Sequence, residues 1–364
     1  MNAISIIMPC YNRADDLLRV LQSYDRQETR EAFELIAIDD SSSDDTYAVL
    51  SSYQSTRFTL TVIRQDENQG PAAARNLGIS LATAPIVLFV GDDILPAKGF
   101  VGAHLAAHRK YPAREIAILG YTAWPSDISL NSLMVHIDGE GAEQFSYYYF
   151  KDGQEYDFRH FYTSNVSIKT NFLKSLDKWF DTDFFYAAFE DVELAYRLSQ
   201  IGLKIIYSAA PVGYHYHYHT IWTFSTRQYR TGLMACILTQ KHPELTRLIK
   251  GKNWALTALR LRFQSLLRPY PLEKAEQLER QLLYLASASE STENPLLNQF
   301  YLRLLRYFFY KGVIEGSFGN AGVGLRACSF NTRSVLEPLR SWFIQESFRL
   351  HTVLPQGNDF GESV

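Results

Sequence analysis

The sequence has few cysteines and no large excess of either charge. Its 364 residues include only Cys10, Cys236 and Cys328, which are too few and too widely spaced for a disulfide framework or a Cys-x-x-Cys metal knuckle. This usage is typical of a reducing compartment, and we expect a cytoplasmic protein. Lys and Arg total 36 against 39 Asp and Glu, so the net charge of -3 gives no reason to expect bulk nucleic-acid binding.

Long hydrophobic runs are also missing. No stretch reaches the roughly 18 uninterrupted apolar residues of a membrane span. The chain begins with a strand-like run at residues 4–8 and has no basic region followed by an apolar core, so we expect no signal peptide. With 46% hydrophobic residues, the chain can still bury a substantial core. These features predict a globular protein, and if it works at a membrane, it does so from the surface.

Short apolar runs alternate with helical patterns from residue 1 to about residue 120. The runs occupy residues 4–8, 35–38, 60–63, 86–90 and 116–119. One intervening segment places Leu17, Leu18, Leu21 and Tyr24 on one helical face. This alternation predicts an α/β fold with a parallel sheet, and the nearly continuous apolar run 86–90 indicates a sheet covered on both faces.

The rest of the chain changes in character twice. Residues 121–165 are rich in Gly, Ser, Tyr and Asp without clear periodicity, which predicts long loops, and residues 189–201 have a helical pattern that ends at Gly202. Beyond about residue 222 the pattern is helical and rich in Leu and Arg. We therefore predict a domain over residues 1–222, a helical region over 223–354 and a flexible tail over 355–364.

Polar residues follow several of the predicted strands. They are Tyr11-Asn12-Arg13 after the first strand, Asp39-Asp40 after the second and Asp92-Asp93 after the fourth. A further acidic pair, Glu190-Asp191, begins the later helix. In open parallel sheets the ligand crevice lies beyond the carboxyl ends of the strands. Because an unpaired buried charge is costly, carboxylates at these places indicate a cation, a donor or a substrate.

Five motifs occur in a recognisable order. They are Ile6-Ile-Met-Pro-Cys-Tyr-Asn-Arg13, Leu35-Ile-Ala-Ile-Asp-Asp-Ser-Ser-Ser-Asp-Asp-Thr46, Asn68-Gln-Gly-Pro-Ala-Ala-Ala-Arg-Asn-Leu-Gly78, Val90-Gly-Asp-Asp93 and Phe189-Glu-Asp-Val-Glu-Leu194. Over about residues 3–220 they resemble family 2 glycosyltransferases of the GT-A fold. The resemblance implies a Rossmann-like, mostly parallel sheet flanked by helices, with a nucleotide-binding half at 1–120 and an acceptor half at 121–222. Residues 165–168 are similar to the family's acceptor-side strand.

The resemblance implies a nucleotide-diphosphate sugar as the donor. Its expected contacts are Pro9, Tyr11, Asn12, Arg13, Asp39, Asp40, Arg75 and Asp92. A nucleotide base needs a flat partner and a carboxylate for its imide, which Tyr11 and either Asp40 or Asp39 could supply. Arg75 would meet a phosphate near the start of the helix that follows Gly70-Pro71.

Structural roles are the alternative for these donor-side residues. Tyr11 could pack on the sheet, and Arg75 could be a solvated surface residue. The Asp39-Asp40 pair could cap a helix that begins at Thr46, where two nearby serines would serve equally well. Those serines are Ser42 and Ser43.

Asp92-Asp93 would hold a divalent cation that bridges the diphosphate, and oxygen ligands suit Mg²⁺ or Mn²⁺. The family pattern is usually Asp-x-Asp, so the adjacent pair leaves the order of the ligands open; we expect Asp93 on the metal and Asp92 on the ribose or the metal. A turn with Asx hydrogen bonds before Pro96 is the alternative.

Histidines alternate with tyrosines over residues 215–219, which is a strand-like pattern that places the three histidines on one face. The resemblance implies that one of them is a further metal ligand, with His215 the first choice and His217 the second. A zinc site or a structural histidine ladder would also be consistent with the pattern.

Asp191 matches the family's general base, and the resemblance gives Glu190 a supporting place on the acceptor side. A carboxylate that takes the proton of a sugar hydroxyl could contribute on the order of a hundredfold or more to the rate, and a single displacement inverts the anomeric centre. The alternative is that both acids only interact with the dipole of the helix that they begin.

The sequence therefore predicts a metal-dependent inverting glycosyltransferase that acts on a glycan or lipid-linked hydroxyl. A sugar nucleotidyltransferase is less consistent, since no Gly-rich phosphate loop with a Lys follows the first strand, and a noncatalytic nucleotide-sugar-binding subunit would not need Asp191. In the helical region, Arg260, Arg262 and Arg268 could dock on an anionic membrane at the inner face, although ordinary packing with Arg on the wet face also fits. Donor sugar, linkage and oligomeric state are not indicated.

Overall fold

The computed structural model describes residues 1–139, 141, 143–292, 294–319 and 323–350. The tail predicted over residues 355–364 lies outside the described residues. The chain divides into two compact units: the first contains Met1–Ile128 and Tyr149–His217, and the second contains Ser129–Tyr148 and the chain from Tyr218 onward. The first unit ends at His217, five residues before the end of the domain predicted over residues 1–222, and residues 129–148 group with the second unit.

The first unit contains one sheet, which has nine strands among the described residues. In chain order they are β1 (Ile4–Cys10), β2 (Phe33–Asp39), β3 (Thr59–Arg64), β4 (Ile86–Val90), β5 (Ile94–Pro96), β6 (Ile116–Ala123), β7 (Glu155–Tyr156), β8 (Asn165–Lys169) and β9 (Lys204–His215).

Helices occur in both units. In chain order they are α1 (Ala14–Asp25), α2 (Thr46–Ser52), α3 (Gly70–Leu81), α4 (Phe100–Lys110), α5 (Ser132–Asp138), α6 (Thr170–Leu173), α7 (Glu190–Ser199), α8 (Ile221–Lys241), α9 (Thr246–Ile249), α10 (Trp254–Leu267), α11 (Leu272–Ala288), α12 (Leu297–Phe318) and α13 (Val323–Arg349). Helix α5 and helices α8 to α13 belong to the second unit.

The strand order is β3-β2-β1-β4-β8-β6-β9-β5, with β7 paired to β9. Strands β3, β2, β1 and β4 run parallel to one another, β8 is antiparallel to both of its neighbours, and β6 runs parallel to β9. Strands β1, β2 and β4 are almost wholly buried, as expected for a sheet that is covered on both faces. The α/β fold class with a mostly parallel sheet and a helical C-terminal region is confirmed.

Helix α1 departs from the sequence prediction at one position. It buries Leu17, Val20, Leu21 and Tyr24, whereas Leu18 is 47% exposed. The placement of Leu18 on the buried face was wrong because successive residues of a helix are rotated by about 100° and Leu17 already points into the core.

The second unit contains a close helix pair, α8 and α12. A Cβ atom added at Gly232 would lie 2.0 Å from the carbonyl oxygen of Phe309, and one added at Gly312 would lie 2.0 Å from the carbonyl oxygen of Tyr229. Neither carbonyl can move without disturbing its own helix. Glycine at both positions therefore sets how closely the two helices approach.

Candidate active site

The strand order brings three of the predicted polar segments together. Strand β1 lies between β2 and β4, so the loops that follow these three strands leave the same edge of the sheet. The backbone N–H of Tyr11, after β1, donates a 3.1 Å hydrogen bond to Asp92 Oδ2, after β4. The backbone N–H of Asp40, after β2, donates to the carbonyl of Cys10 at 2.9 Å. The three polar segments predicted at the carboxyl ends of these strands are therefore in contact with one another.

Backbone conformations with positive φ mark this edge. The non-glycine residues with positive φ among the described ones are Asn12 at 52°, Ser41 at 59° and Phe189 at 66°. They lie after β1, after β2 and directly before α7. Residues other than glycine seldom adopt a positive φ. Those that do cluster at functional sites, where the surrounding structure holds the backbone in place.

The guanidinium of Arg13 binds both carboxylates of the acidic pair. Its Nε lies 3.4 Å from Asp92 Oδ1, and its Nη2 lies 3.0 Å from Asp93 Oδ2. The same Nη2 is 3.0 Å from His217 Nδ1. The structure shows Arg13 on the acidic pair, and its contact with the nucleotide stays a prediction.

Two of the three histidines reach Asp93. Strand β5 pairs antiparallel with β9, with Ile94 opposite His215, so the end of β9 is held beside the acidic pair. Asp93 Oδ2 lies 3.3 Å from His215 Nε2 and 3.4 Å from His217 Nδ1. One ligand atom from each of these residues lies within 4.8 Å of the other two, which is close enough for a shared metal ion. His219 lies in the other unit, with its ring against Phe224.

The strand predicted over residues 215–219 was wrong in extent. Strand β9 ends at His215, and the backbone N–H of Tyr216 donates to the carbonyl of Asp93 at 2.8 Å. Tyr216 also donates to Asp127 Oδ1 at 2.6 Å through its hydroxyl. These bonds direct the chain after β9 along the acidic pair rather than along the sheet.

The pKa values of the two aspartates are shifted in opposite directions. Burial and the charge of Asp93 raise the pKa of Asp92 to about 7, against the lowering effect of Arg13. Burial also opposes ionisation of Asp93, but His215, His217 and Arg13 outweigh it and hold its pKa well below the usual range. Asp93 is therefore the more readily ionised member of the pair and the one at which both imidazoles converge.

The carboxylate of Asp40 binds the start of helix α3, a contact that was not predicted from the sequence. Its carboxylate accepts hydrogen bonds from the backbone N–H of Gln69 and of Gly70, both at 2.8 Å, and from the side chain of Gln65. It thus caps α3 and not the helix that begins at Thr46. In that helix, Asp44 accepts from the backbone N–H of Thr46 at 2.9 Å, so the capping of α2 by Asp39-Asp40 or the nearby serines was wrong.

Asp39 and Tyr11 have fewer contacts with the protein than Asp40 has. Asp39 is buried, accepts a 3.3 Å hydrogen bond from the backbone N–H of Ser42 and lies 3.3 Å from Arg64 Nε through Oδ2, which has no hydrogen-bond partner among the described residues. Tyr11 is 48% exposed, so its ring is open to a ligand. The flat partner and one carboxylate that a nucleotide base requires are therefore present.

Asn12 fastens two loops together. Its side-chain oxygen accepts from the backbone N–H of Ser43 at 2.8 Å, and its backbone N–H donates to Ser42 Oγ at 3.0 Å. Pro9 lies in β1 opposite Ile38 of β2. Both residues were predicted to contact the nucleotide, and the structure places them in the framework that holds Tyr11.

Arg75 and Glu190 form a buried ion pair that joins the donor and acceptor motifs. Arg75 Nη1 lies 2.8 Å from Glu190 Oε1, and both residues are less than a tenth exposed. Arg75 Nε and Glu190 Oε2 have no hydrogen-bond partner among the described residues. Helix α3 supplies Arg75 and helix α7 supplies Glu190, so this pair could not be read from either motif alone.

Asp191 follows in the first turn of α7. Burial and the neighbouring charge of Glu190 raise the pKa of Asp191 to about 7, while Arg75 acts in the opposite direction. The backbone N–H of Val192 donates to its Oδ1 at 2.8 Å, and a backbone N–H of Thr163 also donates to the carboxylate. A carboxylate oriented in this way and titrating near neutral pH is suited to accept a proton.

The sequence placed Asn165 at the start of the acceptor-side strand but did not indicate that its side chain positions β9. Asn165 of β8 accepts from His104 Nε2 at 2.8 Å and donates to the carbonyls of Tyr121 and Pro211, both at 3.0 Å. These bonds hold β6 and β9 where the register between them shifts. A Cβ atom at Gly120 would lie 2.5 Å from the Asn165 amide, so glycine is required there.

Trp124, also missed, stacks on His215 with ring centroids 5.3 Å apart and planes 12° apart. The stacking restricts rotation of the imidazole that faces Asp93. In the sequence, Trp124 was recognisable only as an aromatic residue within the segment predicted to form loops.

Several known proteins are similar to this chain in sequence. Residues 5–175 match the family model described as glycosyl transferase family 2. A validoxylamine A glucosyltransferase from Streptomyces hygroscopicus subsp. jinggangensis is 32% identical over 229 residues, which cover 56% of this chain and 53% of the relative. A chondroitin synthase from Pasteurella multocida is 26% identical over 219 residues, which cover 54% of this chain and 23% of that protein. The chain thus spans about half the length of the first of these relatives and less of the second.

Solved structures show the same fold. Residues 1–349 of TarS from S. aureus superpose with a TM-score of 0.52 at 16% identity, covering all of both chains. The same part of TarS in complex with UDP gives a TM-score of 0.51 at 16% identity, covering all of this chain and 98% of that one. The fold is of the GT-A type. Residues 5–175 form a glycosyl transferase family 2 domain, and the resemblance found in the sequence is confirmed.

No helix among the described residues is long and apolar enough to cross a membrane.

Proposed function

We propose that the chain is a metal-dependent inverting glycosyltransferase that moves a sugar from a nucleotide-diphosphate donor to a hydroxyl of a glycan or lipid-linked acceptor. The observation that carries the proposal is the presence in one unit of a convergent metal-type cluster and a separate carboxylate with a pKa near 7. The cluster is Asp93, His215 and His217, and the carboxylate is Asp191. Binding alone would not require the second feature.

The donor in this proposal is a uridine diphosphate sugar. A neighbour with the same fold was solved with UDP, and the loop after β1 leaves the ring of Tyr11 open for a base to stack on. Asp40 already accepts three hydrogen bonds, whereas Asp39 Oδ2 accepts none from the described residues and has only the Arg64 guanidinium 3.3 Å away. We therefore assign the contact with the base imide to Asp39 in preference to Asp40.

The donor atoms at the acidic pair fit a divalent cation. Carboxylate oxygens suit Mg²⁺ and Mn²⁺, and the two imidazoles shift the preference toward Mn²⁺. Asp93, His215 and His217 would hold the ion, with Asp92 beside them. When bound, the cation would neutralise charge on the diphosphate leaving group. Arg13 ion-pairs with both aspartates, so its guanidinium would add a fixed positive charge beside the cation.

Asp191 would accept the proton of the acceptor hydroxyl as the anomeric bond breaks. Its pKa of about 7 makes it a stronger base than an ordinary aspartate while leaving much of it ionised near neutral pH. The N–H groups of Val192 and Thr163 fix the direction of the carboxylate. Arg75 compensates the charge of Glu190 beside it, and a donor phosphate would supply the acceptor that the buried Nε–H of Arg75 lacks among the described residues. A single displacement of this kind inverts the anomeric centre.

The test is a thermal-shift and transfer panel of nucleoside diphosphate sugars, each with and without Mn²⁺. We expect stabilisation by uridine nucleotides that grows when Mn²⁺ is present. Asp191→Asn should keep this stabilisation and lose transfer, whereas Asp93→Asn should lose the Mn²⁺-dependent part of the stabilisation. A panel in which no nucleotide sugar stabilises the protein would contradict the proposal, and transfer by Asp191→Asn at the wild-type rate would remove the base assignment.

A further inference from the structure

The outward face of α10 is apolar. Five large side chains of this helix are between 52% and 70% exposed: Leu256, Leu259, Phe263, Leu266 and Leu267. At 100° per residue they fall within an arc of about 100°, which makes a continuous stripe on one side of the helix. Single exposed apolar residues are ordinary, but an aligned set of five is not. We call these five residues the α10 stripe.

The opposite face of α10 is already used for packing. Ser265 is fully buried, and Trp254 and Leu261 pack against the cluster formed by Ile314, Ala327 and Cys328. The helix is therefore held by its inner face within the second unit. The α10 stripe is therefore exposed although the helix itself is packed in the fold.

Basic residues surround the α10 stripe. On the same helical projection, Arg260 and Arg262 lie just outside the two edges of the stripe, about 20° and 40° beyond it. Arg268 follows the last turn. Six Lys and Arg residues and no Asp or Glu occur between Glu244 and Glu273, whereas the chain as a whole carries a net charge of -3. The positive charge is thus concentrated in and next to a helix that exposes a leucine-rich face.

We propose that α10 is an interfacial helix that docks the protein on an anionic lipid bilayer, with the α10 stripe inserted among the acyl chains and Arg260 and Arg262 extended to the lipid phosphates. A leucine and phenylalanine face edged by Arg is the arrangement that binds at the boundary between headgroups and acyl chains. Long Arg side chains can cover apolar surface with their stems while their charged ends remain among polar groups.

The charge around the α10 stripe favours an anionic bilayer over a second copy of the chain as its partner. A symmetric dimer through the α10 stripe would bring the Arg residues of two copies together. The segment between Glu244 and Glu273, which contains the α10 stripe, has no carboxylate of its own to pair with them. An anionic bilayer instead offers a phosphate for every Arg, and each Arg near such a surface strengthens binding by about fivefold. This inference does not depend on the proposed transfer reaction.

Co-sedimentation of the full chain with vesicles tests the proposal. The probes are vesicles of phosphatidylcholine alone and of an equal mixture of phosphatidylcholine and phosphatidylglycerol, each at low and at high salt. We expect binding to the mixed vesicles that weakens at high salt and little binding to phosphatidylcholine. Leu259→Ser with Phe263→Ser should reduce the affinity by about tenfold or more. Arg260→Glu with Arg262→Glu should reduce it by about 25-fold or more on the anionic vesicles.

The matched control is Leu18→Ser with Ile201→Ser, which removes two exposed apolar side chains from the first unit and should leave vesicle binding unchanged. Equal loss of binding in this control would overturn the proposal, as would wild-type affinity in the Leu259→Ser/Phe263→Ser variant. Light scattering after size-exclusion chromatography supplies the remaining outcome. A wild-type oligomer that this variant converts to a monomer, without binding to mixed vesicles, would assign the α10 stripe to self-association and contradict the lipid proposal.

Discussion

Asp191→Asn should make the folded protein more stable at alkaline pH while removing catalysis. Burial and Glu190 raise the pKa of Asp191 from 3.8 to about 7, so the folded state resists its ionisation. Above pH 4 the unfolded chain releases this proton readily, and the wild type loses stability as the pH rises toward 7. Asparagine cannot ionise, and its side-chain oxygen can still accept from the N–H of Val192.

The size of the effect follows from the same pKa. A rise from 3.8 to about 7 corresponds to at most about 4 kcal/mol of unfolding free energy at pH 8, and to almost none at pH 4. Urea unfolding from pH 4 to 8, without metal or nucleotide, measures the difference between the variant and the wild type. Asp177→Asn, at an exposed carboxylate, is the control and should show no pH-dependent difference. A variant that is less stable at pH 8, or a difference independent of pH, would refute the reasoning.

Three further changes test the metal cluster, the cap of α3 and the close helix pair. His215→Ala should weaken Mn²⁺ binding by at least tenfold in calorimetry, since even residues outside the ligand shell typically contribute that much, whereas His219→Gln should leave it unchanged. Asp40→Ala should lower the unfolding free energy by about 1–2 kcal/mol through the loss of the cap, and a larger effect on UDP affinity than on stability would return the base contact to Asp40. Gly232→Ala should destabilise the protein by about 1–3 kcal/mol because its Cβ would meet a helix carbonyl, whereas Gly99→Ala, which has open space, should not.

Much of the sheet could be predicted because its strands are apolar on both faces. The run at residues 86–90 matches β4, and the predicted helix start at Gly70-Pro71 matches α3. The edge strands were missed for a physical reason. Strands β5 and β7 have three and two residues, so they have no periodicity of their own and depend on pairing with β9.

The candidate site was predicted in its residue types but only partly in its contacts. The sequence indicates that carboxylates follow β2 and β4, since parallel strands end at one edge. It cannot indicate that Arg75 reaches Glu190, which lies 115 residues away, because that contact depends on how α3 and α7 pack. The capping of α3 by Asp40 was missed for the same reason. The α10 stripe was visible as leucines and arginines, but only the packing of its inner face shows which side is exposed.

The pH dependence of sugar transfer tests the central claim most directly. With saturating Mn²⁺ and a uridine diphosphate sugar, the account predicts that kcat/KM of the wild type falls as the pH drops below about 7, since Asp191 must be ionised to act as base. Glu190→Gln removes the charge that raises this pKa and frees Arg75, so the acid limb should move to lower pH. An acid limb that stays in place in Glu190→Gln, or one that persists in Asp191→Asn with wild-type rates, would contradict the account.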